Sequence, residues 1–189
     1  MRVHSFFGVV AVSMLGLMAG CRDPLLKAKL PDVKITIIGS GPPEWLKQAG
    51  TGQFIVTDYV SDITPYFNHC RLSIAPLRYG AGVKGKVLLS MGYGVPVVAS
   101  SIAAEGIPVV NGRDMLIAGT PESFGEAIIE LYNNEALWDQ MSANGLEIID
   151  RHFSFTAARQ ALMNLFDRLG LKARVEATLN ESSFITEKL

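Results

Sequence analysis

The sequence predicts an α/β domain with a parallel sheet covered by helices on both faces. Three observations support this prediction. Short β-branched runs bounded by turn residues recur through the first two thirds of the chain. Amphipathic segments of helical periodicity separate these runs and fill the last third. The length of 189 residues suits one domain with its own core better than two.

The composition excludes several functional classes. The formal net charge of -1 leaves no basic excess that would indicate nucleic acid as a partner. Two cysteines, Cys21 and Cys70, are too few for a disulfide framework, and we interpret each as a small buried hydrophobe. The three histidines lie far apart without a second ligand at helical spacing, so no metal site is predicted.

Residues 1–23 admit two interpretations. The apolar run from Phe6 to Ala19 ends before Cys21 and resembles a bacterial lipoprotein signal, with Cys21 as the acylated residue. The alternative is a buried helix of an α/β domain that has lost its first strand. The helix is preferred because Pro24-Leu25-Leu26-Lys27 leads directly into a core strand, where a lipoprotein usually has a polar linker.

The predicted strands follow in order. Residues 33–39 form a β-branched run closed by glycine and proline, which is typical of a buried parallel strand. The other predicted strands are 54–56, 71–76, 95–99 and 115–118. Their alternation with helices is what predicts the parallel sheet.

Helix boundaries are predicted from capping residues. Ser61 is expected to cap a short helix over 62–68, and Thr120 and Ser154 are expected to cap later helices. Asn134 is expected to start the helix between those two. A helix over 83–93 should end at Gly94, with one apolar face made by Val83, Val87, Leu88 and Met91. Residues from 172 onward are polar and predicted to be a loose tail.

A glycine-rich segment, Gly80-Ala81-Gly82-Val83-Lys84-Gly85-Lys86, lies where a strand ends and a helix begins. Glycines let the backbone approach an anion, and the amides of the first helical turn point towards it. Lys84 and Lys86 add positive charge, and open α/β sheets bind ligands at the carboxyl ends of their strands. The segment therefore suits a diphosphate. The alternative is a turn whose lysines only face solvent.

The same segment also matches the dinucleotide fingerprint Gly-x-Gly-x-x-Gly, with Glu105 about 20 residues further on. Residues 77–79 intervene, however, between the strand and the first glycine. Glu105 also falls beyond the tip of its own strand. NAD binding is therefore kept as a minor alternative.

Short motifs along residues 24–169 occur in a characteristic order. They are Leu30-Pro31-Asp32-Val33, Ile37-Ile38-Gly39-Ser40-Gly41, Val60-Ser61-Asp62-Ile63, the segment 76–88 with Met91, Gly94-Val95-Pro96-Val97-Val98-Ala99, Ala104-Glu105-Gly106, Asn111-Gly112-Arg113-Asp114, Thr120-Pro121-Glu122 and His152-Phe153-Ser154. In order and spacing they resemble the C-terminal domain of the retaining, group 1 (family four) glycosyltransferases.

This resemblance implies a fold, an activity and a set of site residues. Such enzymes have two Rossmann-like domains facing across a cleft, the GT-B arrangement. The C-terminal domain binds the nucleoside diphosphate sugar, which is a substrate, and no metal or other cofactor is required. The implied contacts are Gly80, Gly82, Lys84, Gly85 and Lys86 with the donor diphosphate, Tyr59, Val60, Asp62 and Ser90 beside the nucleobase and ribose, and Glu105 and Gly106 near the donor sugar. Lys86 is the preferred diphosphate contact and Lys84 the second; no catalytic residue is assigned.

The chain departs from the family pattern within its site. Many members carry glutamates at the positions of Ala81 and Leu89, and the second of these binds the ribose hydroxyls. Leucine cannot accept a hydrogen bond from a ribose. We therefore expect either that Ser90 contacts the ribose instead or that donor binding is weakened.

A second departure is length, because a complete enzyme needs an acceptor-binding domain, upstream or on a partner chain. The predicted organisation is an uncertain segment 1–23, a nucleotide-sugar-binding domain 24–170 and a tail 171–189. We expect the isolated chain to be inactive and cytoplasmic. The alternatives are a non-catalytic remnant and a binding protein anchored at Cys21, with peripheral membrane association.

Overall fold

A computed structural model of the protein describes residues 9–12, 24–48 and 54–171. Within them, a six-stranded parallel sheet has the order β3-β2-β1-β4-β5-β6. The strands are β1 (Val9–Val12), β2 (Ile35–Ile38), β3 (Phe54–Thr57), β4 (Leu72–Ala75), β5 (Val97–Ala99) and β6 (Leu116–Ile117). The strand order reverses between β1 and β4, and open α/β sheets bind ligands at such a reversal.

Helices alternate with the strands and follow them along the chain. They are α1 (Pro24–Lys29), α2 (Glu44–Gln48), α3 (Thr64–His69), α4 (Gly85–Gly92), α5 (Ser101–Ala104), α6 (Pro121–Asn133), α7 (Glu135–Ile148) and α8 (Phe155–Arg168), with a π-helical turn over Ile149–Phe153 before α8. The α/β prediction is confirmed. No described helix combines the length and apolar character needed to span a bilayer.

The main core lies between the sheet and helices α1, α6 and α7. Leu72 and Ile74 of β4 are buried together with Ile128 and Leu131 of α6 and Met141 of α7. Burying one such side chain contributes about 1.5–3 kcal/mol. A second cluster joins β2 to α3 and contains Ile38, Phe67, Cys70 and Val95. Cys70 is thus a buried hydrophobe, as predicted, while Cys21 lies outside the described residues.

The N-terminal segment contributes the central strand. Val9 of β1 is aligned with Ile35 of β2 on one side and with Leu72 of β4 on the other. The prediction that the first strand is lost and that this segment is helical is therefore wrong at Val9–Val12. These residues also precede Cys21, so a lipoprotein cleavage at that position would remove the strand that joins the two halves of the sheet.

Most of the predicted capping residues are confirmed. The side chains of Thr120 and Ser154 accept the amides of Ser123 and Ala157, and Asn134 Oδ1 accepts the amide of Leu137 at 3.0 Å. Ser61 is not a cap, because α3 begins later, at Thr64. Instead Asp62 Oδ1 accepts the amide of Thr64 at 2.8 Å.

Residues 149–171 belong to a second compact unit, which divides the predicted domain 24–170 at Ile148. Helix α8 begins after Ser154, and its apolar side chains Phe155, Leu162 and Leu165 are exposed, as is Leu169 directly after the helix. In the turn before it, the rings of His152 and Phe153 meet edge to face.

Candidate functional site

The predicted glycine loop lies directly at the reversal of strand order. It connects the carboxyl end of β4 to the start of α4, which begins at Gly85 with Lys84 as the N-cap residue. No side chain caps this end of the helix. The amides of its first turn therefore remain available to an anion. Four residues, 76–79, separate β4 from Gly80, which differs from the arrangement of the dinucleotide fingerprint.

Gly82 shows why the loop needs glycine. Its φ of +68° lies in the left-handed region, which residues with a Cβ rarely adopt. A Cβ placed there would meet no atom within 4 Å, so the backbone at Gly82 is open to an approaching ligand. Sequence 76–86 carries Arg78, Lys84 and Lys86 and no acidic residue, so the loop is locally positive.

The side chain of Lys84 folds back over its own loop. It is only 12% exposed, its ammonium donates a hydrogen bond to the carbonyl of Gly82, and its Cε packs against Gly80. The ammonium also lies 3.7 Å from Oε2 of Glu105, whose side chain is 62% exposed. Lys84 thus holds the loop in shape and already has an anionic partner.

Lys86 differs from Lys84 in having no ion pair in the part of the chain that the structure describes. It lies in the first turn of α4, and partial burial lowers the pKa of its ammonium from the ordinary value. Burial costs a cation part of its hydration, and a nearby anion would offset that cost. Of the two lysines predicted to contact the diphosphate, Lys86 is therefore the one without an ion pair among the described residues.

Glu105 and Gly106 pack beside this loop. Gly106 has a φ of +78°, and a Cβ there would lie 3.0 Å from Cγ2 of Val83. Together with the contact between Glu105 and Lys84, this brings the predicted sugar-adjacent residues to the predicted diphosphate residues. The structure also corrects the predicted apolar face of α4. Val83 lies before the helix and is 45% exposed, while Val87 and Met91 are buried.

Ser90 is in the interior. It is 1% exposed, and its hydroxyl donates to Oγ of Ser73 in β4 at 2.9 Å and lies 3.1 Å from the carbonyl oxygen of Lys86. This geometry does not support the expected ribose contact, because the side chain joins α4 to the sheet. Leu89, at the position of the absent glutamate, is 36% exposed.

The predicted nucleobase group follows the carboxyl end of β3. Tyr59 is exposed, Val60 packs on the cluster around Phe67, and Asp62 is engaged with Thr64 at the start of α3. Asp58, which the sequence analysis missed, organises this edge. Its Oδ1 accepts the amides of Gly41, after β2, and of Tyr59, and these bonds lower the pKa of the Asp58 carboxyl.

Ser100 is a second residue that the sequence analysis missed. Its hydroxyl donates to the carbonyl of Leu77 at 2.7 Å and accepts the amide of Ala103, which caps α5. The start of the glycine loop is thereby fixed to the end of β5. The available signal was the position of Ser100, directly after a buried strand and before a short helix.

The fold and the site define a class. A parallel sheet whose strand order reverses beside a glycine loop at a helix N-terminus is the arrangement of a Rossmann-like domain. Within that class the chain belongs to the glycosyl transferases group 1, whose family model matches residues 16–134. In fold it is the C-terminal half of a GT-B glycosyltransferase.

One curated relative matches part of the chain. The chain is 29% identical over 140 residues to an uncharacterized 44.6 kDa protein in the cps region of Klebsiella pneumoniae, covering 69% of this chain and 36% of that protein. It therefore spans about a third of that relative's length.

Solved structures share the fold at lower identity. A mutant of S. aureus TarM, in complex with fondaparinux, alpha-GlcNAc-glycerol and UDP, superposes with a TM-score of 0.70 at 19% identity, over 85% of this chain and 35% of TarM. The C-terminal domain of a group 1 glycosyl transferase (LpcC) from Francisella tularensis gives 0.63 at 16% identity, over 79% of this chain and 87% of that domain. The second match covers most of a single isolated domain.

Proposed function

We propose that this chain is the donor-binding part of a retaining glycosyltransferase and binds the diphosphate of a nucleotide sugar at the loop Gly80–Lys86. The observation that carries the proposal is the ammonium of Lys86, which has no ion pair among the described residues and lies at an uncapped helix start, beside the reversal of strand order. Membership of the glycosyl transferases group 1 and the UDP in the TarM complex support the ligand class. A cytoplasmic location is part of the same proposal.

In this proposal the chain acts on the leaving group. Sugar transfer breaks the bond between the anomeric carbon and the diphosphate, so negative charge grows on the diphosphate in the transition state. The Lys86 ammonium and the amides of the first turn of α4 stabilise that charge, and Lys84 holds the loop in place. The acceptor, and the group that retains the anomeric configuration, belong to the complete enzyme.

A thermal-melt comparison of UDP, GDP, ADP and NAD tests the ligand class. A nucleoside diphosphate at about 100 times its dissociation constant should stabilise the chain by roughly 2.7 kcal/mol. For a protein of this size that corresponds to a rise in Tm of about 5–10 °C. A shift with NAD alone would contradict the proposal and favour the dinucleotide alternative.

A second candidate is a nucleotide-binding remnant that transfers no sugar. It is favoured by Ala81 and Leu89, which place no carboxylate at the two positions where many relatives have one. Under both candidates the isolated chain should transfer no sugar above background, since no acceptor is oriented. Joining the chain to an acceptor domain of the same family separates them: transfer with retention supports the enzyme, and nucleotide binding without transfer supports the remnant.

A further inference from the structure

The contact between Lys84 and Glu105 places a carboxylate beside the proposed diphosphate site. Oε2 of Glu105 lies 3.7 Å from the ammonium of Lys84, which is itself bonded within the glycine loop. The next residue, Gly106, packs against Val83, so the backbone that carries Glu105 is held against the same loop. A ligand anion that reaches this loop therefore comes close to the negative charge of Glu105.

The nucleotide sugar and the free nucleoside diphosphate differ in the charge of their outer phosphate. In a nucleotide sugar the outer phosphate is a diester with a single negative charge. In the free nucleoside diphosphate the same phosphate is a monoester, and its second pKa of about 6 adds nearly one further negative charge at neutral pH. A carboxylate beside the outer phosphate opposes the free diphosphate more strongly than the sugar conjugate.

We infer that Glu105 is a specificity-determining residue that disfavours the free nucleoside diphosphate relative to the nucleotide sugar. The inference rests on the proposed function and assigns a role to one residue of that site. Two unit charges about 6–8 Å apart, at an effective dielectric constant of about 40–60, change an equilibrium by about three- to tenfold. In a working enzyme this preference would favour release of the nucleoside diphosphate product and binding of a new nucleotide sugar.

The test is calorimetric titration of the full chain with UDP and with UDP-glucose at low salt. In Glu105→Gln the Kd for UDP should fall about three- to tenfold further than the Kd for UDP-glucose, because the outer phosphate of UDP carries nearly one more negative charge. Glu126→Gln is the matched control, because it removes the same charge from an exposed position on α6. It should change neither Kd, and melting curves of both variants check that they fold.

The difference between the two ligands should also shrink as salt rises, because the Debye length falls to about 3 Å at 1 M. An unchanged or weaker affinity of Glu105→Gln for UDP would overturn the inference. A weaker affinity for UDP-glucose alone would do so too, since it would indicate a hydrogen bond from Glu105 to the sugar. If the unmodified chain bound neither UDP, GDP, ADP nor their sugar conjugates, the proposed function itself would fail.

Discussion

Replacing Ser90 with alanine should destabilise the fold while leaving nucleotide affinity unchanged. The hydroxyl of Ser90 donates to that of Ser73, and the two residues are 1% and 2% exposed. In Ser90→Ala the hydroxyl of Ser73 loses this partner in a place that water does not reach. Leaving a buried polar group unsatisfied costs about 1–3 kcal/mol. In a protein of this length each kcal/mol corresponds to about 2–4 °C in Tm.

The assay combines a thermal melt with a titration of the best nucleotide. The double variant Ser73→Ala/Ser90→Ala removes both hydroxyls, so it should lose less stability than the sum of the two single variants. Ser61→Ala is the control for stability, because Ser61 is an exposed serine outside any helix cap, and its effect should stay within about 0.5 kcal/mol. An unaltered Tm with a tenfold weaker Kd in Ser90→Ala would refute the reasoning and restore the ribose contact.

Two further changes test the site and the sheet. Lys86→Ala should weaken binding of the best nucleoside diphosphate by roughly ten- to a hundredfold, since a charge-assisted hydrogen bond contributes about 1.5–3 kcal/mol; equal calorimetric Kd values at low salt would remove Lys86 from the site. A chain that begins at Cys21 lacks β1 and should lose cooperative unfolding and near-UV circular dichroism. If that shortened chain melted like the full one, β1 would not be needed for the sheet, and cleavage at Cys21 would again be compatible with the fold.

The features that the sequence predicted correctly are those determined by residues close together in the chain. The β-branched runs became β2 to β6, and Thr120, Asn134 and Ser154 start helices because each side chain bonds amides three residues ahead. β1 was missed because its four residues lie within a long apolar run, and such a run does not distinguish a buried strand from a buried helix. The run forms a strand because it pairs with β2 and β4, and both of these strands lie far along the chain.

For the candidate site, the sequence predicted the position of the loop better than the contacts of the side chains. Loop 80–86 follows from glycine and lysine spacing, and the structure places it at the reversal of strand order. Side-chain partners distant in sequence were not predictable in the same way. Lys84 meets Glu105, and Ser90 meets Ser73, through packing between separate elements. A serine on a helix is compatible both with exposure to solvent and with a bond to a buried hydroxyl. The strand that faces the helix determines which of the two occurs.

The central position of β1 also has a consequence for how the chain is made. Val9 is aligned with Leu72, which is 63 residues later in the sequence (72 minus 9). At a synthesis rate of about 5–20 residues per second, the first strand waits roughly 3–13 seconds before the second of its partners is translated. During that interval one of its edges has unpaired amides and carbonyls, which is the kind of surface that nascent chains expose to chaperones and to each other. A slower ribosome should therefore lower the soluble yield of this protein more than that of a domain whose central strand is made last.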